Sequence, residues 1–211
     1  MKKRIALILA VLILATIQLF AQTNKMSFGG FYSFETIDSI TIDSTETATD
    51  AKANTLGGYI KGTSFFSPTS SLGINYMARF GKVTSMEISG TSVDTSEEPL
   101  GWDFMLGLAI QQPLDMDSFI EFGGGMVMSL DSETYNFGSI PVETTLTLFS
   151  LSLLAEINYS LDPSTYLNIG VQGLIPLFGT IEGSVGGITM SYDYSIDGFT
   201  LAPYVGISLA Y

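Results

Sequence analysis

Apolar and polar residues alternate through most of this chain. In residues 198–211, Phe199, Leu201, Pro203, Val205, Ile207, Leu209 and Tyr211 fall on one face, and Thr200, Ala202, Tyr204, Gly206, Ser208 and Ala210 on the other. A period of two over that length is a strand, because successive side chains of extended backbone point to opposite faces. Similar runs at 26–35, 55–66, 71–81, 100–111, 118–128, 145–160 and 165–178 bring the number of predicted strands to eight. After residue 22 no window approaches the roughly 18 apolar residues of a membrane-spanning helix.

The two faces differ in kind. In the third run Leu72, Ile74, Tyr76, Ala78 and Phe80 oppose Gly73, Asn75, Met77, Arg79 and Gly81. In the fourth, Trp102, Phe104, Leu106, Leu108 and Ile110 oppose Asp103, Met105, Gly107, Ala109 and Gln111. A soluble sandwich would place many charges on its outward face. Here the face without bulky apolar groups is mostly Gly, Ala and Ser, which suits a narrow barrel lumen with the oily face toward lipid.

Connections alternate in length. Short proline-bearing turns at 67–70, 113–117 and 161–164 recur at spacings of 46 and 48 residues. Between them lie segments rich in Ser, Thr, Asp and Glu at 36–54, 82–99, 129–144 and 179–197, expected as four long acidic loops. Short turns at one end and long polar loops at the other predict a meander closed as an outer-membrane barrel, with the short turns in the periplasm; a soluble repeat array is the alternative. Closure is obligatory in hydrocarbon, where an unpaired backbone group costs several kcal/mol. Aromatic positions predict two interfacial girdles. Phe65, Phe66, Phe119, Tyr159, Tyr166 and Tyr211 lie toward the short turns; Tyr32, Phe34, Phe80, Trp102, Phe104, Phe178 and Phe199 lie toward the long loops.

Residues 1–22, MKKRIALILAVLILATIQLFAQ, combine a basic start, an apolar stretch and a small residue near the end. They predict a cleavable signal peptide, with an uncleaved anchor helix as the alternative, and leave residues 23–211 as one barrel domain. Composition narrows the chemistry. The formal charge is −13, and removal of Lys2, Lys3 and Arg4 leaves 5 basic against 21 acidic residues, a net of −16. That balance argues against nucleic-acid partners. Absent cysteine removes thiolate and zinc-thiolate sites, and absent histidine removes a Ser-His-Asp hydrolase and the commonest metal ligand.

The predicted architecture resembles the small eight-stranded OmpA/OmpX-type outer-membrane barrels over residues 23–211. The most specific part is the stretch Tyr204-Val205-Gly206-Ile207-Ser208-Leu209-Ala210-Tyr211. Tyr204, Gly206, Leu209 and Tyr211 are similar to the terminal strand signal read by the barrel assembly machinery. The resemblance implies an all-β, antiparallel, up-and-down transmembrane barrel in the outer membrane of a two-membrane bacterium. It also implies lipid partners that include lipopolysaccharide-type headgroups.

Five ionisable residues fall on the face assigned inward: Lys61, Arg79, Asp103, Glu121 and Glu156. Charges enclosed in a narrow barrel are costly unless partnered, so they predict an interior polar network that plugs the lumen. A gate or ion-selective constriction is the functional alternative. A Glu121–Glu156 acid/base pair lacks any nucleophile motif beside it. Gly123-Gly124-Gly125 lacks the Gly-Lys-Ser/Thr ending of a phosphate loop and reads as close strand approach. The acidic loops (Asp38, Asp43, Glu46, Asp50; Glu87, Asp94, Glu97, Glu98; Asp131, Glu133, Glu143; Glu182, Asp193) read as a solvated rim. A surface ligand on them is a further expectation, and divalent cations are a sharper version of it. No catalytic residue, metal site or cofactor is expected. The leading reading is therefore a non-enzymatic integral outer-membrane protein with a structural or surface-interaction role. A small porin-like channel and a soluble periplasmic ligand-binding barrel are the alternatives.

Overall fold

A computed structural model describes residues 23–67, 70–95, 100–115, 117–137, 140–185 and 188–211, with backbone alone at 23–24, 133–137, 140–143, 185 and 188. The expected signal peptide lies outside the described residues, as do Glu97 and Glu98; for Glu133 and Glu143 only the backbone is described. The elements are β1 (Thr23–Ile42), β2 (Thr45–Phe65), β3 (Leu72–Ile88), β4 (Thr91–Val93), β5 (Leu100–Pro113), β6 (Ser118–Phe137), β7 (Ile140–Asp162), β8 (Thr165–Val185) and β9 (Ile188–Ala210). All pairings are antiparallel; the wall strands pair with their neighbours in chain order, β3 with β5 past β4, and β9 pairs with β1 to close the ring. Eight strands make the wall. The ninth, β4, pairs among the described residues with β3 alone and extends that hairpin outward.

The strands are longer than the apolar alternation predicts, and this corrects the expectation of long loops. Residues 36–42 and 45–54 continue β1 and β2 to a two-residue turn at Asp43–Ser44, both with positive φ. Paired positive-φ residues match the right-handed twist of flanking strands, which is why such turns join hairpins. Ser89–Gly90 makes a second turn of this kind between β3 and β4. Residues 129–137 with 140–144, and 179–185 with 188–197, are likewise strand. Most of the expected loops are hairpins standing beyond the membrane.

The level at which they leave it can be read from the outer face. Phe34, Leu56, Phe80, Trp102, Phe178 and Phe199 are exposed, and beyond them polar residues enter the outer surface, with Thr36 and Asp38 on β1, Lys52 on β2, Lys82 and Thr84 on β3, Glu182 on β8 and Asp197 on β9, while Ile42, Ile88 and Met190 remain as separate exposed apolar groups. Strands of 20 to 23 residues in β1, β2 and β6–β9 are about twice the 9–11 needed to cross hydrocarbon. Below that edge every wall strand presents bulky apolar groups outward, including Phe28, Ile60, Leu72, Leu106, Phe122, Leu153, Ile169 and Val205, each about 40–60% exposed. An apolar belt around a whole circumference has no place on a soluble monomer.

The girdle near the short turns is thinner than expected. Phe66, Tyr159 and Tyr211 face outward, whereas Phe65 and Phe119 are buried in the lumen. Tyr166 also turns inward, its ring 5.3 Å from that of Phe119 in an edge-on contact. The reason is parity: Phe119 is two residues from the inward Glu121, and Phe65 two from the inward Thr63. Height along the strand set the expectation, but side-chain alternation decides the face.

The short turns are closed by local hydrogen bonds. In the β5–β6 connection the Asp117 amide donates to Asp115 Oδ1 at 2.9 Å. The Ser118 hydroxyl and, after it, the Asp117 amide hold the Asp115 carboxyl below the usual aspartate range. A lowered value means that the charged form supports the turn above the unfolded value and that this support is lost as pH falls through the folded one. Protection of the Asp117 amide, its exchange measured against the intrinsic rate at each pH, should therefore fall on acidification below about pH 4, and Asp115→Asn should remove that pH dependence.

Candidate functional site

The lumen is filled in layers, beginning with a charge cluster near the short-turn end. Lys25 of β1, Lys61 of β2, Glu121 of β6 and Glu156 of β7 are all buried. Lys25 Nζ donates to Glu121 Oε2 at 2.6 Å and to Glu156 Oε1 at 3.1 Å. Lys61 Nζ donates to Glu121 Oε1 at 3.0 Å and to Glu156 Oε2 at 2.5 Å. Each lysine bridges both carboxylates and the four charges sum to zero. Thr63 and Asn75 donate to Glu121 Oε1 at 3.0 Å each. Asn168 donates to Glu156 Oε2 at 3.2 Å, and Lys25 reaches Asn158 Oδ1 at 3.0 Å.

The arrangement of charge along the chain is instructive. Glu121 and Glu156 are direct cross-strand partners in the β6–β7 pairing. Lys25 and Lys61 both belong to the β1–β2 hairpin, where Ser27 is opposite Lys61 and Thr63 opposite Lys25. Each hairpin alone sets like charges side by side, which is unfavourable. Only closure of the ring, with β6–β7 facing β1–β2 across the lumen, puts opposite charges in contact.

Above the cluster lies an apolar and aromatic layer of Phe31, Tyr59, Met77, Met105, Val127, Leu154, Leu174, Ala202 and Tyr204. Tyr59 and Tyr204 meet edge-on at 5.1 Å, and Asn168 donates to Tyr59 Oη at 2.7 Å, joining the two layers. Gln172 donates to Ser152 Oγ at 2.7 Å within the same level. Higher still, Arg79 and Asp103 are cross-strand partners on β3 and β5. The guanidinium binds Asp103 Oδ2 through Nε at 3.0 Å and Nη2 at 2.5 Å, and its Cζ lies 5.0 Å over the Phe31 ring.

The five inward residues named from sequence thus separate into two groups. Lys61, Glu121 and Glu156 meet in the lower cluster; Arg79 and Asp103 form a separate upper pair. Lys25, the fourth corner of the lower cluster, was missed. It sits one residue before the run that begins at Met26, and extending the inward parity of Ser27 and Gly29 back by one step finds it. Of the residues resembling a terminal signal, Leu209 and Tyr211 face outward, whereas Tyr204 is buried in the lumen with its ring 5.9 Å from Lys61 Nζ.

The closed ring, oily exterior and filled interior find counterparts among solved structures. OprG of Pseudomonas aeruginosa is similar over 90% of this chain and 97% of that one, with 13% identity and a TM-score of 0.55. A major outer membrane protein of Thermus thermophilus matches over 89% and 99%, with 12% identity and a TM-score of 0.54. The outer membrane protein AlkL, solved in lipid bilayers, matches over 90% of each chain, with 16% identity and a TM-score of 0.51. This chain has the fold of the small outer-membrane β-barrels. The OmpA/OmpX-type resemblance seen in the sequence holds at the level of that fold, and fold and apolar belt together describe an integral outer-membrane protein. No protein-family model matches the chain, and no curated sequence does. Identities this low carry the architecture and nothing finer.

Within this outer-membrane barrel the lower cluster suits obstruction better than catalysis. Every carboxylate oxygen of the cluster already accepts at least one hydrogen bond from an ammonium, amide or hydroxyl donor, so a substrate proton would have to compete with those donors. An ion would have to displace paired charges to pass, at a cost of several kcal/mol.

Proposed function

We infer that this protein is a non-enzymatic outer-membrane barrel with a sealed lumen, and that its contact with the surroundings is made by the long hairpins rather than by transport. The neutral four-charge cluster beneath a packed aromatic layer carries this reading. Absent histidine speaks against Ser-His-Asp hydrolysis. The acidic rim, with Asp38, Asp43, Glu46, Asp50 and Glu182 exposed on hairpins, is the part offered to a surface ligand or to lipopolysaccharide-type headgroups. The short turns face the periplasm, and the assembly machinery acts on the barrel from that side.

Two measurements test this. The chain has no cysteine, so single introduced thiols report without background. Ser44→Cys in the β1–β2 turn should react with an impermeant maleimide on intact cells, whereas Asp115→Cys should react only after permeabilisation. The reverse pattern would invert the topology. In planar bilayers the folded protein should show no reproducible unitary conductance; discrete openings would replace the sealed-lumen reading with a channel.

A further inference from the structure

Above the seal the lumen holds a second feature that the plug does not explain. Phe31, Leu174 and Ser150 form a buried floor beneath a cavity of about 220 Å³, and the residues higher on its sides, Glu35, Thr55 and Asp131, are half-exposed. Its sides are unlike each other. On β7 and β8 the inward parity of Ser150, Ser152 and Gln172 continues into Leu146, Leu148, Leu174 and Pro176. Apolar groups there are unexpected in a lumen facing water, which is ordinarily polar. The other side, from β1, β3, β5 and β6, carries Glu35, Arg79, Asp103 and Asp131.

The acidic and basic groups do not balance. Arg79 and Asp103 satisfy each other, which leaves Glu35 and Asp131 as two acidic groups with no basic partner among the described residues, at the edge of a low-dielectric space. Among the described residues no group of three or more acidic side chains stands ready to hold a metal ion. One donor is also left over. Arg79 is only 5% exposed, and its Nη1 has no hydrogen-bond partner although Nε and Nη2 are both engaged. A buried guanidinium nitrogen without an acceptor is destabilising and is rare in finished cores.

Three unmet requirements therefore meet in one cavity: positive charge for Glu35 and Asp131, an acceptor for Arg79 Nη1, and hydrocarbon for the leucine side. We propose that this vestibule is a binding site for a small amphiphilic organic cation, an amine with one acceptor oxygen and an apolar body. Its ammonium sits between Glu35 and Asp131 and its oxygen accepts from Arg79. The apolar body lies against Leu146, Leu148 and Pro176. The seal below makes this a site of capture at the long-hairpin end and not a step in passage.

The probe is 2-phenoxyethylamine, which carries an ammonium, an ether oxygen and a phenyl ring; 2-phenoxyethanol is its neutral counterpart. Both are titrated into the folded, detergent-solubilised protein by calorimetry, with ligand-observed saturation-transfer NMR as a second readout. The amine should bind on the order of tenfold tighter than the alcohol, the ratio that one charge-assisted hydrogen bond gives. Glu35→Gln combined with Asp131→Asn should bring the amine down to the alcohol, and Leu148→Ser should weaken both. Equal binding of the two compounds, absence of binding by either, or an amine affinity unchanged in the double variant would overturn the proposal. If the double variant does not fold, as judged by heat-modifiable gel migration, the comparison of the two compounds on the unaltered chain decides. None of these outcomes bears on the labelling or conductance experiments, so this site and the sealed-barrel reading stand or fall separately.

Discussion

Lys61→Met is expected to destabilise the barrel by about 3–5 kcal/mol, the range for removing one partner of a buried ionic group. The methionine fills similar volume, so the loss is electrostatic and not a cavity. Lys61 is completely buried and donates to both carboxylates. Without it Lys25 alone faces Glu121 and Glu156, which the β6–β7 pairing holds directly opposite each other. The result is an unpaired negative charge in a space closed to water. The urea midpoint for interconversion of the two gel-mobility forms measures the effect. The informative control is Lys61→Met with Glu156→Gln, which restores neutrality with one lysine and one glutamate. That double variant should recover more than half of the lost stability, and the non-additivity is the coupling between the two sites. An unchanged midpoint in the single variant would mean that the two carboxylates do not depend on Lys61 for their stability.

The charge cluster also shows how far the sequence could be read. Period two identifies which face of a strand is inward, because lipid outside and a crowded lumen inside demand opposite compositions. Glu121, Glu156 and Lys61 were legible for that reason. Which charges pair was not, since neighbours in sequence here are like charges and the partners come from the far side of the ring. Strand length was the other blind spot. Beyond Phe34 and Leu56 the hairpin residues 36–42 and 45–54 meet water on their outer face, and a register shift between Ile37 and Ser39 breaks the period, so the apolar alternation thins to isolated isoleucines while backbone pairing continues. The two-residue turn at Asp43–Ser44 carries none of the glycine that usually marks such hairpins. The leucine side of the vestibule was hidden too, because the run carries apolar residues on both faces, Leu146, Leu148 and Leu154 on one and Phe149, Leu151 and Leu153 on the other, so composition there does not separate inside from outside.

Gly206→Val is the second large effect expected, and it separates two reasons for the same residue. The terminal-strand resemblance makes Gly206 part of a signal read during assembly. The geometry supplies another reason: Gly206 is opposite Gly29 where β9 closes on β1. A Cβ on Gly206 would overlap Phe28 O and Tyr59 Oη, and one on Gly29 would overlap Val205 O. The seam is therefore glycine on both sides because the backbones approach too closely for a side chain, and a valine must push strands apart at the joint that completes the ring. Overpacking of this kind costs about 1–3 kcal/mol in ordinary cores, and a closure seam that must leave no backbone group unpaired in lipid has less room to relax. Gly183→Val on β8 is the matched control, since a Cβ there meets nothing within 4 Å. Refolding of purified, denatured protein into detergent, with no assembly machinery present, tells the reasons apart. Failure of Gly206→Val to reach the heat-modifiable form there, with Gly183→Val folding normally, assigns the residue to the seam. Normal refolding in detergent with loss only in cells would assign it to recognition, and the close approach at Gly29 would then be a consequence of that requirement and not its cause.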